Sequence, residues 1–401
     1  MVINMKYIPY GKQNIDEEDI QSVVEVLMSD FLTQGPKIDE FEEKLAEFCG
    51  AKYAVLFNSG TAALHAAYFS IGLSKGDEFI TTPITFVATA NAGVYLGAKP
   101  VFVDIEKDTG NIDAGKIEDK ISDRTKLIVP VHYAGHPCDM KKIKEIADKY
   151  NLKVVEDGCH ALGAEYIVQC SSFNVQGSTF KVGSCQFSDM TVFSFHPVKH
   201  ITTGEGGAVL TNKKEYYEKL LIFRTHGITR DVSKFKAQDS ASEGDWYYEM
   251  QCLGYNYRMT DIQAALGMSQ LKKLDNFVER RRQIAKKYYS IFKELDYFDL
   301  PEEKVYAHHS YHLYHVRLKD KYVRRKVDIF RMLRGNGVGV QVHYIPVYWQ
   351  PFYEELGFKK GICTDAEDFY RREISLPIYP AMTDEDVDFV ASKIDEVFRS
   401  L

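Results

Sequence analysis

No Cys-x-x-Cys pair occurs in this chain, and its seven cysteines (Cys49, Cys138, Cys159, Cys170, Cys185, Cys252 and Cys363) are odd in number and widely scattered. That spacing argues against a disulfide framework and predicts reduced thiols, mostly in a core. Long apolar runs are missing as well: no segment approaches the roughly 18 residues of a membrane-spanning helix. The opening stretch, MVINMKYIPYGKQNIDEEDI, lacks the apolar run and small-residue cleavage site of a secretory signal, so a cytoplasmic protein with no membrane partner is expected. Nor is there an excess of positive charge. Fifty basic residues face 57 acidic ones for a formal charge of -7, with no basic stripe, and nucleic acid is not an expected partner. The phosphate-loop pattern G-x-x-x-x-G-K-[ST], the zinc pattern H-E-x-x-H and the nucleophile elbow G-x-S-x-G are all absent. GEGGAV, from Gly204, precedes a strand instead of opening a helix after one, which excludes the dinucleotide fingerprint.

What is present is ordinary globular composition, 45% hydrophobic and 27% charged, which excludes general disorder. A chain of 401 residues exceeds what one core supports, so a large domain (1–275) and a smaller C-terminal one (276–401) are expected. Ile20, Val23, Val24 and Leu27 recur at helical spacing behind a run of acids, predicting a helix with one buried face over 16–28. Ile38, Phe41, Leu45 and Phe48 predict a second helix ending near Gly50. Short apolar runs at 53–57, 78–81, 100–103, 127–131 and 153–156 then alternate with helical stretches. Such alternation predicts a mostly parallel sheet flanked by helices. Runs at 191–195 and 207–211 add two buried strands, neighbours through a tight connection, making seven. Helical patterns dominate from Arg258 to about Tyr297, after which strand-like 312–318 and 338–343 alternate with helices. The fold class is therefore α/β: a seven-stranded sheet domain plus a smaller α/β domain. No internal repeat occurs; residues 171–179 read as an exposed hairpin or loop, and 230–247 as a loop free to move.

Three segments could carry chemistry. The strand ending at Phe57 runs through Asn58, Ser59, Gly60 and Thr61 into the small-residue helix AALHAAYFSIGL, so unpaired amides at the helix start face the strand's carboxyl end, where a phosphate binds; an ordinary helix cap at Ser59 or Thr61 gives the same pattern. The strand over 153–156 delivers Asp157 at its carboxyl end, placed either as a turn residue or as a partner for a cationic ring nitrogen. TVFSF leads into His196-Pro197-Val198-Lys199 and the flexible TTGEGG, a setting in which a lysine can form a Schiff base, although most lysines are solvated surface charges. A phosphate cup, an acid for a pyridinium nitrogen and an amine for an aldehyde are together what pyridoxal phosphate requires.

At these residues the chain resembles the sugar aminotransferases of the DegT/DnrJ/EryC1/StrS family, a branch of the fold type I pyridoxal-phosphate enzymes. The resemblance runs through LTQGP, FNSGTAAL, TTPITFVATANA, EDGCHALGAEY, FSFHPVKHITTGEGGAVLTN and GYNYRMTDIQAALG, in family order and over nearly the whole chain. It implies that Lys199 is the Schiff-base lysine, that Asp157 partners the pyridine nitrogen, that Phe86 stacks on the cofactor's face and that His160 sits beside its phenolic oxygen. Gly60, Thr61 and Ser194 resemble the phosphate contacts, and Asn256 the asparagine that reaches that phosphate from a neighbouring subunit, implying a homodimer with shared active sites. Family members with histidine at the lysine position act as dehydratases; lysine here favours transamination. TVFSFHPVKHITTGEGG, EMQCLGYNYRMTDIQAALGMSQL and VQVHYIPVY look most like the pseudaminic-acid branch, which aminates C4 of a UDP-linked 4-keto-6-deoxy-N-acetylhexosamine, with glutamate as the expected donor. By the same resemblance Tyr10, Asp30, Phe31, Thr33, His343 and Tyr344 are substrate contacts. Residues 167–185 depart from the pattern, being longer than expected between the aspartate and lysine motifs.

Other readings remain beside this one. His308, His309, His312 and His315 invite a metal, yet they lie on or before a strand whose side chains alternate in direction, with no cysteine or carboxylate to complete a set, and no metal is expected. Tyr344, Tyr348, Trp349, Phe352 and Tyr353 are either core or a platform for the uracil or sugar. A dTDP-linked 3- or 4-keto sugar is an alternative substrate. A non-enzymatic binding or regulatory module on the same fold is a further alternative, against which Lys199 and Asp157 argue.

Overall fold

The computed structural model describes residues 6–168, 178–237 and 244–401, so most of the expected 171–179 loop and part of 230–247 lie outside the described residues. Two helices open the chain, α1 (Glu17–Leu27) and α2 (Pro36–Cys49), the second stopped by Gly50 at φ 78°. Helix α2 turns Ile38, Phe41 and Leu45 inward as expected. Helix α1 corrects the sequence reading: Ile20, Val24 and Leu27 are exposed, Val23 is half-buried, and the side chains turned inward are Asp19 and Val26. Asp19 accepts a hydrogen bond from Gln270 Nε2 (2.7 Å) and pairs with Lys273 (3.1 Å), so this helix is seated by polar contacts.

The seven expected strands form one sheet. They are β1 (Tyr53–Phe57), β2 (Glu78–Thr81), β3 (Lys99–Phe102), β4 (Thr125–Val129), β5 (Lys153–Asp157), then, after the hairpin β6 (Glu165–Val168) and β7 (Ser178–Lys181), β8 (Met190–Ser194) and β9 (Gly207–Thr211). Their order is β1-β9-β8-β5-β4-β2-β3, and β9 alone runs against its neighbours. Successive side chains face opposite ways along a strand. Leu56, Ile80, Ile128, Val154 and Leu210 accordingly meet α2, α5 (Met140–Lys149) and α7 (Asp261–Leu271), whereas Val55, Phe79, Leu127, Val155 and Val209 meet α3 (Gly60–Ile71), α4 (Ala88–Tyr95) and α6 (Lys214–Phe223). Both faces are covered, as a parallel sheet requires.

A second apolar cluster surrounds the antiparallel strands Phe298–Asp299, Tyr314–Leu318 and Glu373–Leu376, the helices Lys326–Gly335 and Asp384–Arg399, and the end of α8 (Leu274–Phe292). Helix α8 belongs to both: Leu274 and Val278 pack in the first cluster, and Ile284, Ala285, Tyr288 and Phe292 in the second. Ile8 also lies in the second cluster, bonded through its amide to Gly337 O (2.8 Å). The strand expected over 338–343 does not form. Only isolated bridges occur there, Ile8 to Val338 and Gln341 to Ser375, because no neighbouring residue extends either one into a ladder. No helix among the described residues is long and apolar enough to cross a membrane. Cys49, Cys138, Cys185 and Cys363 are buried free thiols, and Cys159 and Cys252 are free and half-buried.

Candidate active site

The carboxyl ends of β1, β5 and β8 converge, and each delivers one of the expected groups. From β1, Ser59 caps α3 by accepting from the Ala62 amide (3.1 Å), leaving the first amides of the helix, from Gly60 and Thr61, pointing toward the strand ends. This start lies hard against the neighbouring strands: a Cβ on Gly60 would meet Ser194 Cβ at 2.9 Å, and one on Gly207 would meet Gly60 N at 2.7 Å. Two glycines therefore keep open a cup whose walls are backbone amides and the Ser194 side chain.

Asp157, at the end of β5, is buried. Thr89 Oγ1 donates to its Oδ2 (2.7 Å) and the Cys159 amide to its Oδ1 (3.1 Å), while Thr85 and Thr89 share a hydrogen bond of 2.8 Å. The sequence reading misses Thr89, which stands in the first turn of α4, while its partner Thr85 lies in the bend just before that helix.

Lys199 follows β8 in a turn closed by its own amide donating to His196 O (2.9 Å). Burial pushes its ammonium below the usual lysine range, against the opposing pull of Cys159 and Asp157. The next residue, His200, faces away and bonds Ser310 O through Nε2 (3.1 Å), which fixes the turn from behind. His160 Nε2 lies 3.0 Å from Tyr344 Oη, and its ring packs 4.4 Å from that of His312. Burial and the Lys199 charge hold His160 well below the usual histidine range, so its ring is neutral. Tyr344 is also 6.4 Å, ring to ring, from Phe86, which leaves 58% of its surface free. Tyr10 stands 5.5 Å from the His343 ring, and Gly11 lies against Val198, the neighbour of Lys199. Asp157, His160, Lys199, Phe86, Tyr10, His343 and Tyr344 thus line one cleft, with the Gly60–Thr61–Ser194 cup at its side.

Four expected residues stand apart. Asp30, Phe31 and Thr33 are exposed on the loop between α1 and α2, which Asp261 anchors by accepting from the Gly35 (2.8 Å) and Lys37 (3.0 Å) amides. Asn256 is exposed too; its carbonyl accepts from Asn58 Nδ2 (3.2 Å), and its side chain has no hydrogen bond among the described residues. Of the aromatic group, Tyr348 and Tyr353 are core, Trp349 is packed beside them and Phe352 is exposed. The histidine group is spread apart: His308 bonds Glu165 (3.2 Å), His309 stacks on Tyr311, and His315 packs on Tyr133 and Phe369.

A buried carboxylate, a half-buried lysine, an exposed aromatic face and a glycine-lined cup suit the ring nitrogen, aldehyde, ring face and phosphate of pyridoxal phosphate. The fold and the cleft together define a pyridoxal-phosphate-dependent aminotransferase. Residues 13–395 match the DegT/DnrJ/EryC1/StrS aminotransferase family, and the chain belongs to it. It is 40% identical to the UDP-4-amino-4,6-dideoxy-N-acetyl-beta-L-altrosamine transaminase of Campylobacter jejuni, over 98% of either chain. Among solved structures it resembles Helicobacter pylori PseC, described as an aminotransferase involved in the biosynthesis of pseudoaminic acid, with a TM-score of 0.88 and 39% identity over 99% of this chain and 100% of that one. It also resembles the PLP form of Spr1654 from Streptococcus pneumoniae, with a TM-score of 0.87 and 30% identity over 98% of this chain and 99% of that one. These likenesses make it an aminotransferase of sugar nucleotides.

Proposed function

We propose that the chain transfers an amino group from glutamate to C4 of UDP-2-acetamido-2,6-dideoxy-hexos-4-ulose, in the making of a pseudaminic-acid-type sugar in the cytoplasm. The observation that carries this reading is the placement of Lys199, Asp157, His160 and Tyr344 in one cleft of a chain 40% identical to a UDP-sugar transaminase. Pyridoxal phosphate, when bound, supplies an aldehyde that accepts an amine and a ring that spreads the electron pair left when a C–H bond breaks. Lys199 would bind the aldehyde, and once displaced by the donor's amine it would move protons between carbon and cofactor; a lowered affinity for protons suits a group that must take one and give it back. Asp157, oriented by Thr89 and the Cys159 amide, would hold a proton on the ring nitrogen. Neutral His160, steadied by Tyr344, would stand beside the phenolic oxygen, and Phe86 would cover the ring face.

Gly60, Thr61 and Ser194 would hold the phosphate, joined by Asn256 of a second copy of the chain. The exposed apolar stripe of Ile20, Val24, Leu27 and Met28, continued by Phe31 and Leu32, supports a homodimer, since a face of this kind is normally covered. In that dimer Asp30, Phe31 and Thr33 would reach substrate, with Tyr10, His343 and Tyr344 on the opposite wall. With the chain divided into a large domain (1–275) and a small one (276–401), the cleft would lie between them.

The test is the visible absorption of purified protein with pyridoxal phosphate, followed on adding glutamate and then the UDP-linked keto sugar, with product mass. Expected is a band lost with glutamate and restored by the keto sugar, with neither change in Lys199→Ala. Restoration by a dTDP-linked keto sugar alone would overturn the substrate and leave the cofactor chemistry standing.

A further inference from the structure

Behind His343 runs a chain of hydrogen bonds that the reaction as proposed does not use. Glu373, first residue of the strand Glu373–Leu376, is fully buried. Its Oε2 accepts from the His343 amide (2.8 Å) and its Oε1 from Ser375 Oγ (2.5 Å). Ser375 Oγ lies 2.8 Å from His343 Nδ1. A hydroxyl has one proton to give. Donated to Glu373, it leaves Ser375 to accept from Nδ1–H, so the His343 proton sits on Nδ1 and Nε2 carries a bare lone pair.

We infer that Glu373, Ser375 and His343 form a proton relay: a proton arriving from the cleft at His343 Nε2 is matched by one leaving Nδ1 for Ser375, whose own proton passes to Glu373. Bonds balance along the chain. Nε2–H forms while Nδ1–H breaks, Ser375 gains one O–H and loses another, and Glu373 ends as a neutral acid donating through Oε1 to Ser375, with Oε2 still accepting from the His343 amide. The ring never becomes a cation; the charge neutralised is that of Glu373. Glu373 and Ser375 are thus positioning residues that act through His343.

The surroundings suit this division of labour. Burial and the nearby Lys199 push His343 down to about 3, which bars it from holding two protons near neutrality. Burial pushes Glu373 up to about 7, opposed by the Lys326 ammonium on the helix packed beside it. Lys326 is itself pushed down, to about 8, and donates to Tyr370 O (2.5 Å). The other groups facing this chain are Tyr133, which donates to His343 O (2.6 Å), Tyr344 and Tyr10 beside the His343 ring, His160 and His315 near that ring, and Arg317, opposite Glu373 in the sheet. The relay deepens the proposed reaction, giving its cleft a base that titrates near neutrality, but it rests on hydrogen bonds that exist without any substrate.

Nitrogen-15 NMR of the full-length protein with labelled histidine distinguishes the two tautomers, and His343→Asn identifies the signal. Expected on lowering the pH through neutrality is a single change of His343 from proton on Nδ1 to proton on Nε2, without imidazolium. Ser375→Ala should abolish that change and Ser375→Thr restore it. Glu373→Gln, whose amide nitrogen would donate to Ser375, should lock the proton on Nε2 at every pH. Both blocking variants should also lose the ionisation near neutrality from the pH profile of kcat, with KM for the sugar nucleotide moved less. A His343 tautomer independent of pH in the wild type, or an unchanged transition in Ser375→Ala, overturns the relay whatever the substrate proves to be.

Discussion

Asp157 shows how much of the cleft depends on one residue being held by others. Its two oxygens each receive a directed donor, Thr89 Oγ1 and the Cys159 amide, so the carboxylate has a fixed direction before any ligand arrives. Asp157→Asn removes the charge and keeps the shape; we expect kcat to fall by about 10²-fold or more, the scale seen when one preorganised electrostatic partner is lost, with cofactor still bound by equilibrium dialysis. Thr89→Val keeps the volume and deletes the donor. The cost should be about 1–3 kcal/mol in a denaturant titration, because the buried carboxylate loses a partner, together with a reduced kcat. The two substitutions differ in how far each could be foreseen. Asp157 was legible from its place at the end of an apolar run, whereas Thr89 sits on a helix whose small residues look like packing, and Glu373 and Ser375 occupy a short strand where alternation signals burial and says nothing of hydrogen bonds.

At the level of elements, the strands were legible because short apolar runs bounded by turn residues suit little besides a buried strand, and the short link from β8 to β9 left antiparallel pairing as the simple outcome. Apolar content misled where a residue's partner lies elsewhere. The 338–343 run is apolar enough for a strand, yet its backbone finds partners only at Val338 and Gln341. The stripe on α1 has the helical spacing of a core face but is exposed in a single chain. The junction of α3 with β8 and β9 is tight: Gly207 lies against the Ser59 carbonyl and the Gly60 amide, so an added methyl has nowhere to go. Gly207→Ala should push the first turn of α3 out of line and weaken pyridoxal phosphate binding by at least about 10-fold, or roughly 1.4 kcal/mol, in a fluorescence titration. Unchanged affinity would show that the cup is not the phosphate's seat.

For the whole molecule, a group of buried histidines sets the response to acid. Burial pushes His65 and His136 down to about 4 and His315 and His343 down to about 3, from an ordinary value of 6.5. Since the folded values lie below the unfolded one, the unfolded chain binds more protons between them, and the stability these groups leave intact above pH 6.5 is lost as pH falls toward 4 and then 3. The melting temperature should therefore drop steadily below pH 6.5, by roughly 1 °C for each kcal/mol lost in a chain of this length, and scanning calorimetry across that range would read it. A flat profile down to pH 4 would mean that these histidines are reached by water. Helix α8 bears on the history of the molecule in a different way. One unbroken helix lends Leu274 and Val278 to one core and Ile284, Tyr288 and Phe292 to the other, with buried Arg281 at the crossing donating to the Ile378 carbonyl (2.8 Å). No seam exists inside that helix at which recombination could trade one half for a relative's, and a chimaera spliced within it would inherit two unfinished cores.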